Sequence, residues 1–201
     1  MSCAPSHFRL LALPATLALL TVSGCFRQIP PPDIKENPAR HEHYQLTMTL
    51  RDVPGPYDSI DATVDYSVSN SHCVPLTPIS GAALAPYKRL PLPLTQVGPN
   101  TWKADFYADM YLDEDYYHEG VCHWAMVAVS FGPTVKGNIF SGSLWHKDML
   151  EGRLSDVSYF ANQLYLKPFD TPYAQTGSAN REQFKEPDKT FSTTMTAVKI
   201  P

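Results

Sequence analysis

The residues whose types could do chemistry are concentrated between Asp105 and His123 of the 201-residue chain, where six acids, two histidines and four tyrosines occur. Carboxylate oxygens on a loop are suitable calcium ligands, but the spacing here lacks the alternating acids and the glycine of an EF-hand loop. The chain has neither an HExxH motif nor paired CxxC motifs. We therefore predict no metal and no cofactor, with a calcium-binding loop as the alternative to a solvated acidic loop.

Covalent catalysis is the next chemistry to consider. The chain has no GxSxG or SxxK motif, and Ser141-Gly142-Ser143 is explained by a glycine-containing turn. Cys73 follows His72, which leaves a catalytic thiol as an alternative, although its thiolate would be exposed to oxidation in an exported protein. These observations predict a protein that is not an enzyme.

Protein binding is the role that the acidic and aromatic residues favour. Tyrosines among acids add contact area at a low entropic cost, as they do in protein interfaces. The strong strand patterns on either side predict that residues 105–119 form a hairpin whose tip is exposed. The positions predicted to contact a partner are Tyr111, Asp113, Glu114, Asp115, Tyr116 and Tyr117. The alternative is that several of these rings lie against neighbouring strands.

The N-terminal residues have the pattern of an export signal. One arginine precedes an uncharged run at residues 10–22, which is shorter than the roughly 20 apolar residues that cross a bilayer. The following Val22-Ser23-Gly24-Cys25 resembles the lipobox of bacterial lipoproteins. The resemblance implies that residues 1–24 are a cleaved signal peptide and that Cys25 carries lipid. The alternative is an ordinary secretory peptide or a buried N-terminal helix.

The resemblance also implies a location. Two or three acyl chains on Cys25 would anchor the protein to a membrane permanently, since each buried methylene contributes about 0.8 kcal/mol. In such lipoproteins an aspartate after the cysteine favours inner-membrane retention, so Phe26 favours the outer membrane, facing the periplasm. Without residues 1–24 the chain has 15 basic and 20 acidic residues, a net charge of −5 with no basic cluster. This composition argues against a nucleic-acid partner.

The cysteines fit an oxidising compartment. Cys3 belongs to the signal peptide and Cys25 to the lipobox, which leaves Cys73 and Cys122. Two remaining cysteines in an exported domain most simply form one disulfide bond.

The rest of the chain must position these residues, and its pattern predicts a proline-rich lipidated tether at residues 25–43 and a single β-rich domain at residues 44–201. Apolar residues alternate with polar ones from Tyr44 and again at residues 60–68, as in half-buried antiparallel strands. Residues 121–131 are apolar at both alternations, which predicts a central strand covered on both faces. Seven to nine such strands predict an all-β fold, either an antiparallel β-sandwich or a small barrel. In outline it is similar to immunoglobulin-like or transthyretin-like sandwiches.

Three functions fit this description. The favoured one is a protein-binding module, in its most specific form an immunity protein that neutralises a toxic effector, such as a basic hydrolase, in the periplasm. The alternative is a structural lipoprotein of an envelope secretion or assembly machine. An envelope hydrolase with a site built from scattered strand-end residues is the least favoured.

We expect the change Cys25→Ser to abolish lipid attachment, because the serine hydroxyl cannot form the thioether. The precursor should stay uncleaved or be released as soluble protein. The measurement is incorporation of labelled palmitate in growing cells, compared with the wild type. Normal incorporation into Cys25→Ser would contradict the lipobox assignment.

Overall fold

The computed structural model describes residues 31–167, 171 and 173–201, so the predicted lipobox and its Cys25 lie outside the described residues. Ten strands dominate this part of the chain. They are β1 (His43–Arg51), β2 (Ser59–Val68), β3 (Tyr87–Pro91), β4 (Thr95–Gly98), β5 (Thr101–Tyr107), β6 (Trp124–Val135), β7 (Asn138–Trp145), β8 (Ser155–Ala161), β9 (Ala174–Thr176) and β10 (Thr190–Lys199). The short helices are α1 (His146–Leu150) and α2 (Asn162–Leu166), with 3-10 turns at Ser71–Cys73, Arg181–Gln183 and Pro187–Lys189.

The strands form two five-stranded sheets that face each other. The first sheet has the order β4-β5-β1-β10-β8, and the second has the order β3-β2-β6-β7-β9. All neighbours pair antiparallel except β7 and β9, which are parallel. The predicted all-β sandwich is confirmed, and the fold is not a closed barrel.

The main core lies between the two sheets and follows the predicted alternation. Leu46, Met48 and Leu50 of β1 are buried, whereas the residues between them face outward. Val64 and Tyr66 of β2 face them from the second sheet. Alternation of this kind is what a strand with one solvated face requires, because successive side chains point to opposite faces.

A second core fills the end of the sandwich at which β7 begins. Four aromatic rings meet there with centroids 5.2–5.8 Å apart, in edge-to-face, tilted and stacked arrangements. They belong to Phe140, Phe160, Tyr165 and Phe191. The Tyr165 hydroxyl donates to the Gly55 carbonyl oxygen at 2.8 Å, and burial raises the pKa of this phenol to about 12. The hydrogen bond gives the polar end of a buried ring its partner.

The prediction that residues 121–131 are covered on both faces is wrong, and a β-bulge is the reason. Asp65 pairs with Ala128 but Tyr66 pairs with Met126, so Val127 is an extra residue in β6. The bulge shifts the alternation by one residue, as bulges do. Met126 before the bulge and Val129 after it therefore both face the core. On the outer face of β6, Val127, Ser130 and Thr134 are partly exposed, whereas the small Ala128 is buried.

Other strand predictions were partly right. Pro91 and Pro93 cannot donate to a strand ladder, so the sequence predicts an edge or an extended loop at residues 90–94. The segment spans the end of edge strand β3 and the connection to β4. The sequence pattern also predicts short strands at residues 138–145 and 158–166 and a short helix near residues 147–154. The first strand is β7, the second ends at Ala161, where α2 begins, and the helix is the shorter α1. No helix within the described ranges is long and apolar enough to cross a membrane.

We expect Gly132→Ala to destabilise the fold by about 2 kcal/mol or more, the range of severe overpacking. A Cβ atom at this position in β6 would collide with the backbone carbonyl of Phe140 in β7. The matched control is Gly55→Ala, whose Cβ would meet only a Tyr165 ring atom at 3.8 Å. Urea unfolding of both variants measures the difference. Equal stability of the two would show that β6 and β7 are less closely apposed.

Candidate functional site

The segment predicted to be a hairpin tip instead connects the two sheets. β5 belongs to the first sheet and β6 to the second, so residues 108–123 cross from one sheet to the other at one end of the sandwich. The loop at residues 69–86, between β2 and β3, lies at the same end. We call this end, formed by the two loops, the disulfide end. A crossing connection needs more residues than a hairpin turn, which explains the length of the segment without a binding role.

The predicted disulfide bond is confirmed and joins these two loops. Cys73 and Cys122 are bonded, with Cα atoms 5.2 Å apart, and both are fully buried. Asn70 adds to the connection, since its side chain donates to the Val121 carbonyl oxygen at 2.7 Å and accepts from the His123 amide at 2.6 Å. The alternative of a catalytic Cys73 thiol is therefore excluded in the bonded form.

Most carboxylates of the acidic segment are used inside the protein. Asp109 accepts hydrogen bonds from the amides of His41 and Glu42. Asp113 accepts from the Trp124 amide at 2.8 Å and lies 2.7 Å from Nδ1 of His123. These carboxylates satisfy backbone groups at the starts of β1 and β6, where the chain enters each strand.

Two further acids have partners as well. Glu114 pairs with the Lys35 ammonium at 2.9 Å, and the pair raises the pKa of Lys35. Asp115 accepts from the Gly120 amide at 3.1 Å. Within the described part of the chain, no group of three or more histidine, cysteine, aspartate or glutamate side chains is arranged to hold a metal ion.

The C-terminal part of the predicted tether contacts the connection at residues 108–123 and does not extend away from the domain. Glu36 bridges to Tyr111, and the Asn37 amide donates to the Met110 carbonyl oxygen at 2.9 Å. Residues 35–42 therefore lie along the connection between the sheets, and β1 begins at His43. The polar composition of this segment predicts that it is solvated. Its contacts with the domain are made by the backbone, and backbone contacts leave no periodic pattern in the sequence.

The tyrosines predicted to contact a partner are less exposed than an accessible loop tip implies. Tyr111 is only 8% exposed and contacts the rings of Tyr66 and Trp124. Tyr116 and Tyr117 are half-buried against the disulfide, and the Tyr116 hydroxyl donates to a backbone carbonyl oxygen. A role for the six positions in partner binding stays a prediction, but their internal contacts favour looking elsewhere for a binding surface.

The outer face of the second sheet carries the better candidate, a groove of about 570 Å³ that we call the sheet groove. Its floor consists of small side chains on three adjacent strands. Thr63 of β2, Ser130 of β6 and Ser143 of β7 lie in register, and the two serine hydroxyls are 2.8 Å apart. Short side chains in the middle of a sheet leave a trough between longer ones at either side.

The sides of the groove carry larger residues. Tyr87 and Arg89 stand on β3, and Trp145 and Ile139 stand on β7. Trp145 is 46% exposed, and Tyr87 and Ile139 are similarly exposed. Four adjacent strands at about 4.8 Å spacing place the two sides about 14 Å apart. The groove is therefore wide and open, unlike the enclosed apolar pockets that bury most of a small ligand.

One ion pair organises the β3 side of the groove. Arg89 donates from Nε and Nη2 to the two carboxylate oxygens of Asp65, at 2.7 and 2.9 Å. Burial alone would raise the pKa of Asp65, but hydrogen bonds from Arg89 and Tyr87 outweigh burial and lower the pKa from its ordinary value. The carboxylate is nearly buried whereas the guanidinium stays largely exposed. Arg89 is thus held in one orientation and remains accessible.

The short polar side chains of the groove are visible in the sequence, but their arrangement side by side is not. Along residues 60–68, acidic and hydroxyl side chains alternate with apolar ones, a pattern that predicts an ordinary solvated strand face. Gly142 predicts a turn at Ser141 and Ser143, but both serines lie within β7. Only the pairing of β2, β6 and β7 places these short polar side chains side by side.

No protein-family model, curated protein or solved structure matches this chain. Function is therefore inferred from the geometry of the described residues.

We expect Asp65→Asn to destabilise the protein by about 1 kcal/mol at neutral pH, since the pair is half exposed and screened by water. Because the pKa of Asp65 is lowered on folding, its stabilisation is present above the unfolded-state pKa of about 3.9 and is lost as the pH falls through the folded-state pKa. The difference from the wild type should therefore shrink in acid. Urea unfolding across this pH range measures it.

The control for this prediction is Asp61→Asn, an exposed acid on the same strand that does not contact Arg89. A loss of stability in Asp65→Asn that persists in strong acid would contradict a role for the Asp65 charge.

Proposed function

We propose that the chain is a lipid-anchored protein of the bacterial cell envelope that binds a second protein through the sheet groove. The single observation that carries the proposal is the composition of the groove's sides. Tyrosine, arginine and tryptophan are the residue types that contribute most to protein interfaces, and here Tyr87, Arg89 and Trp145 border one accessible surface. The hydroxyl floor between them supplies donors and acceptors for a partner's backbone or polar side chains.

The shape of the groove supports a protein partner rather than a small substrate. It is open and about four strands wide, so a projecting loop of another protein fits it better than a single small molecule. Its described lining contains no histidine, cysteine or lysine that would serve as a base or nucleophile, and its two carboxylates, Asp61 and Asp65, accept hydrogen bonds from Ser59 and Arg89. Among the described residues, the hydroxyls of Ser130 and Ser143 are hydrogen-bonded to each other and not to a base that would activate them.

The most specific form of the proposal is an immunity protein that neutralises a periplasm-targeted toxic effector. The disulfide bond supports an oxidising compartment, since such bonds persist there. The acidic balance of the chain favours a basic partner, such as a toxic hydrolase, through long-range attraction that accelerates association. Anchoring at the outer membrane by lipid on Cys25 would keep the protein where such an effector arrives.

We expect Trp145→Ala to weaken partner binding by about 2 kcal/mol or more, roughly a 30-fold loss of affinity, because an exposed tryptophan beside a groove is a typical interface anchor. A second variant, Ser130→Arg, should block the floor of the groove without touching the core. The matched control is Val97→Ala, which alters an exposed apolar residue on β4 of the other sheet.

The measurement is made in the native host. A strain lacking the protein should be killed only when neighbouring cells deliver the effector, and wild-type and Val97→Ala copies should rescue it. Trp145→Ala and Ser130→Arg should fail to rescue, at unchanged protein level and melting temperature. Full rescue by both groove variants would contradict binding through the groove. A transport defect without any effector would indicate the assembly-machine alternative.

A further inference from the structure

The loop between β2 and β3 exposes apolar side chains to an unusual degree. From Cys73 to Tyr87 the chain contains no charged residue. Within it, Leu76 is 64% exposed, Ile79 is 82% exposed and Leu84 is 68% exposed. Contiguous exposed apolar surface on a water-soluble domain usually marks contact with another protein or with a membrane. We call residues 74–86 the apolar loop.

The apolar loop has a defined conformation that presents Ile79 at its tip. Leu76 bridges to Ala83, and the Thr77 amide donates to the Ala82 carbonyl oxygen at 2.9 Å. The Gly81 amide donates back to Thr77 at 3.0 Å. Several polar backbone groups of the tip are therefore satisfied inside the loop. This lowers the cost of moving the tip out of water, since unsatisfied polar groups are what apolar surroundings penalise.

The base of the apolar loop is braced against the disulfide. Ala83 and Ala85 contact the buried cluster that contains Cys73, Cys122 and Val68. The tip therefore projects from a rigid support at the disulfide end.

The N-terminal segment enters the domain at this same end. The Lys35 amide donates to the Tyr116 hydroxyl, and Tyr116 belongs to the cluster around the disulfide. Ten peptide units separate Cys25 from Lys35, so a lipid on Cys25 lies within about 35 Å of Lys35 at the disulfide end. A lipid on Cys25 therefore tethers the domain to the bilayer from the disulfide end.

The geometry points to the apolar loop as a membrane-contacting loop, which dips its tip into the interface of the bilayer that holds the lipid anchor. This inference rests on the lipidation part of the proposed function and is independent of the sheet groove. The lipid it fits is zwitterionic. Asp113, Asp115 and Glu119 are exposed on the neighbouring loop, and their charges disfavour a strongly anionic surface within a Debye length.

The test uses the mature lipoprotein reconstituted into vesicles of phosphatidylcholine and phosphatidylethanolamine. An environment-sensitive fluorophore is attached at Ile79→Cys or, as the matched control, at Val97→Cys. Val97 is similarly apolar and exposed, but lies beside the β4–β5 turn at the opposite end of the sandwich. The native Cys73 and Cys122 do not react because they form the disulfide.

We expect the label at position 79 to show blue-shifted emission and strong quenching by nitroxide lipids, whereas the label at position 97 should behave as in water. Replacing half of the lipid with phosphatidylglycerol at low salt should reduce the difference. A label at position 79 that stays as water-exposed as the control, on protein retained by the vesicles, would overturn the inference. So would shielding that appears only when envelope proteins are added, which would identify a protein as the occupant.

Failure of the lipid assignment has a different result. The protein would then carry no acyl chain and would not be retained by the vesicles, whichever position is labelled. The two failures are therefore distinguishable in one experiment.

Discussion

The bulge at Val127 is the constraint on which both the core and the sheet groove depend. Without this extra residue, Met126 and Val129 would point to opposite faces of β6. With it, both join the core, and Ala128 and Ser130 are left on the outer face. The same irregularity lies opposite Asp65, which faces Arg89 on the open side. One inserted residue thus separates an apolar interior from a polar groove within a strand whose sequence looks apolar throughout.

The disulfide end is organised by a different principle, the satisfaction of backbone groups in long connections. Two long loops with little regular structure meet there, and such loops carry many amides and carbonyl groups that need partners. The disulfide closes the pair of loops, while Asn70, Asp109 and Asp113 supply acceptors for the amides at the strand entries. The acidic cluster is therefore largely a structural element of the connection between the sheets.

The outer face of the second sheet and the disulfide end give the protein two separate candidate contact surfaces. The sheet groove runs along the outer face of the second sheet, between β3 and β7, and is polar with aromatic sides. The apolar loop projects from the disulfide end, beside the segment that leads to the predicted lipobox. A molecule held to a bilayer at that end would keep its groove on the flank, open to a partner that moves along the membrane surface. The proposed anchoring and the proposed binding are thus geometrically compatible.

The sequence by itself determined the class of fold, because alternation along a strand is local, and the disulfide, because counting the cysteines leaves one pair. Alternation along β1 and β2 indicates half-buried strands, and Cys73 and Cys122 are the two cysteines that remain outside the predicted signal peptide and lipobox. Strand pairing was decided only by the tertiary structure. It placed Tyr111 in the core, turned a supposed hairpin into a crossing between sheets and aligned Thr63, Ser130 and Ser143 into a groove floor. These outcomes depend on contacts between residues far apart in the chain and on a bulge, and neither leaves a periodic pattern in the sequence.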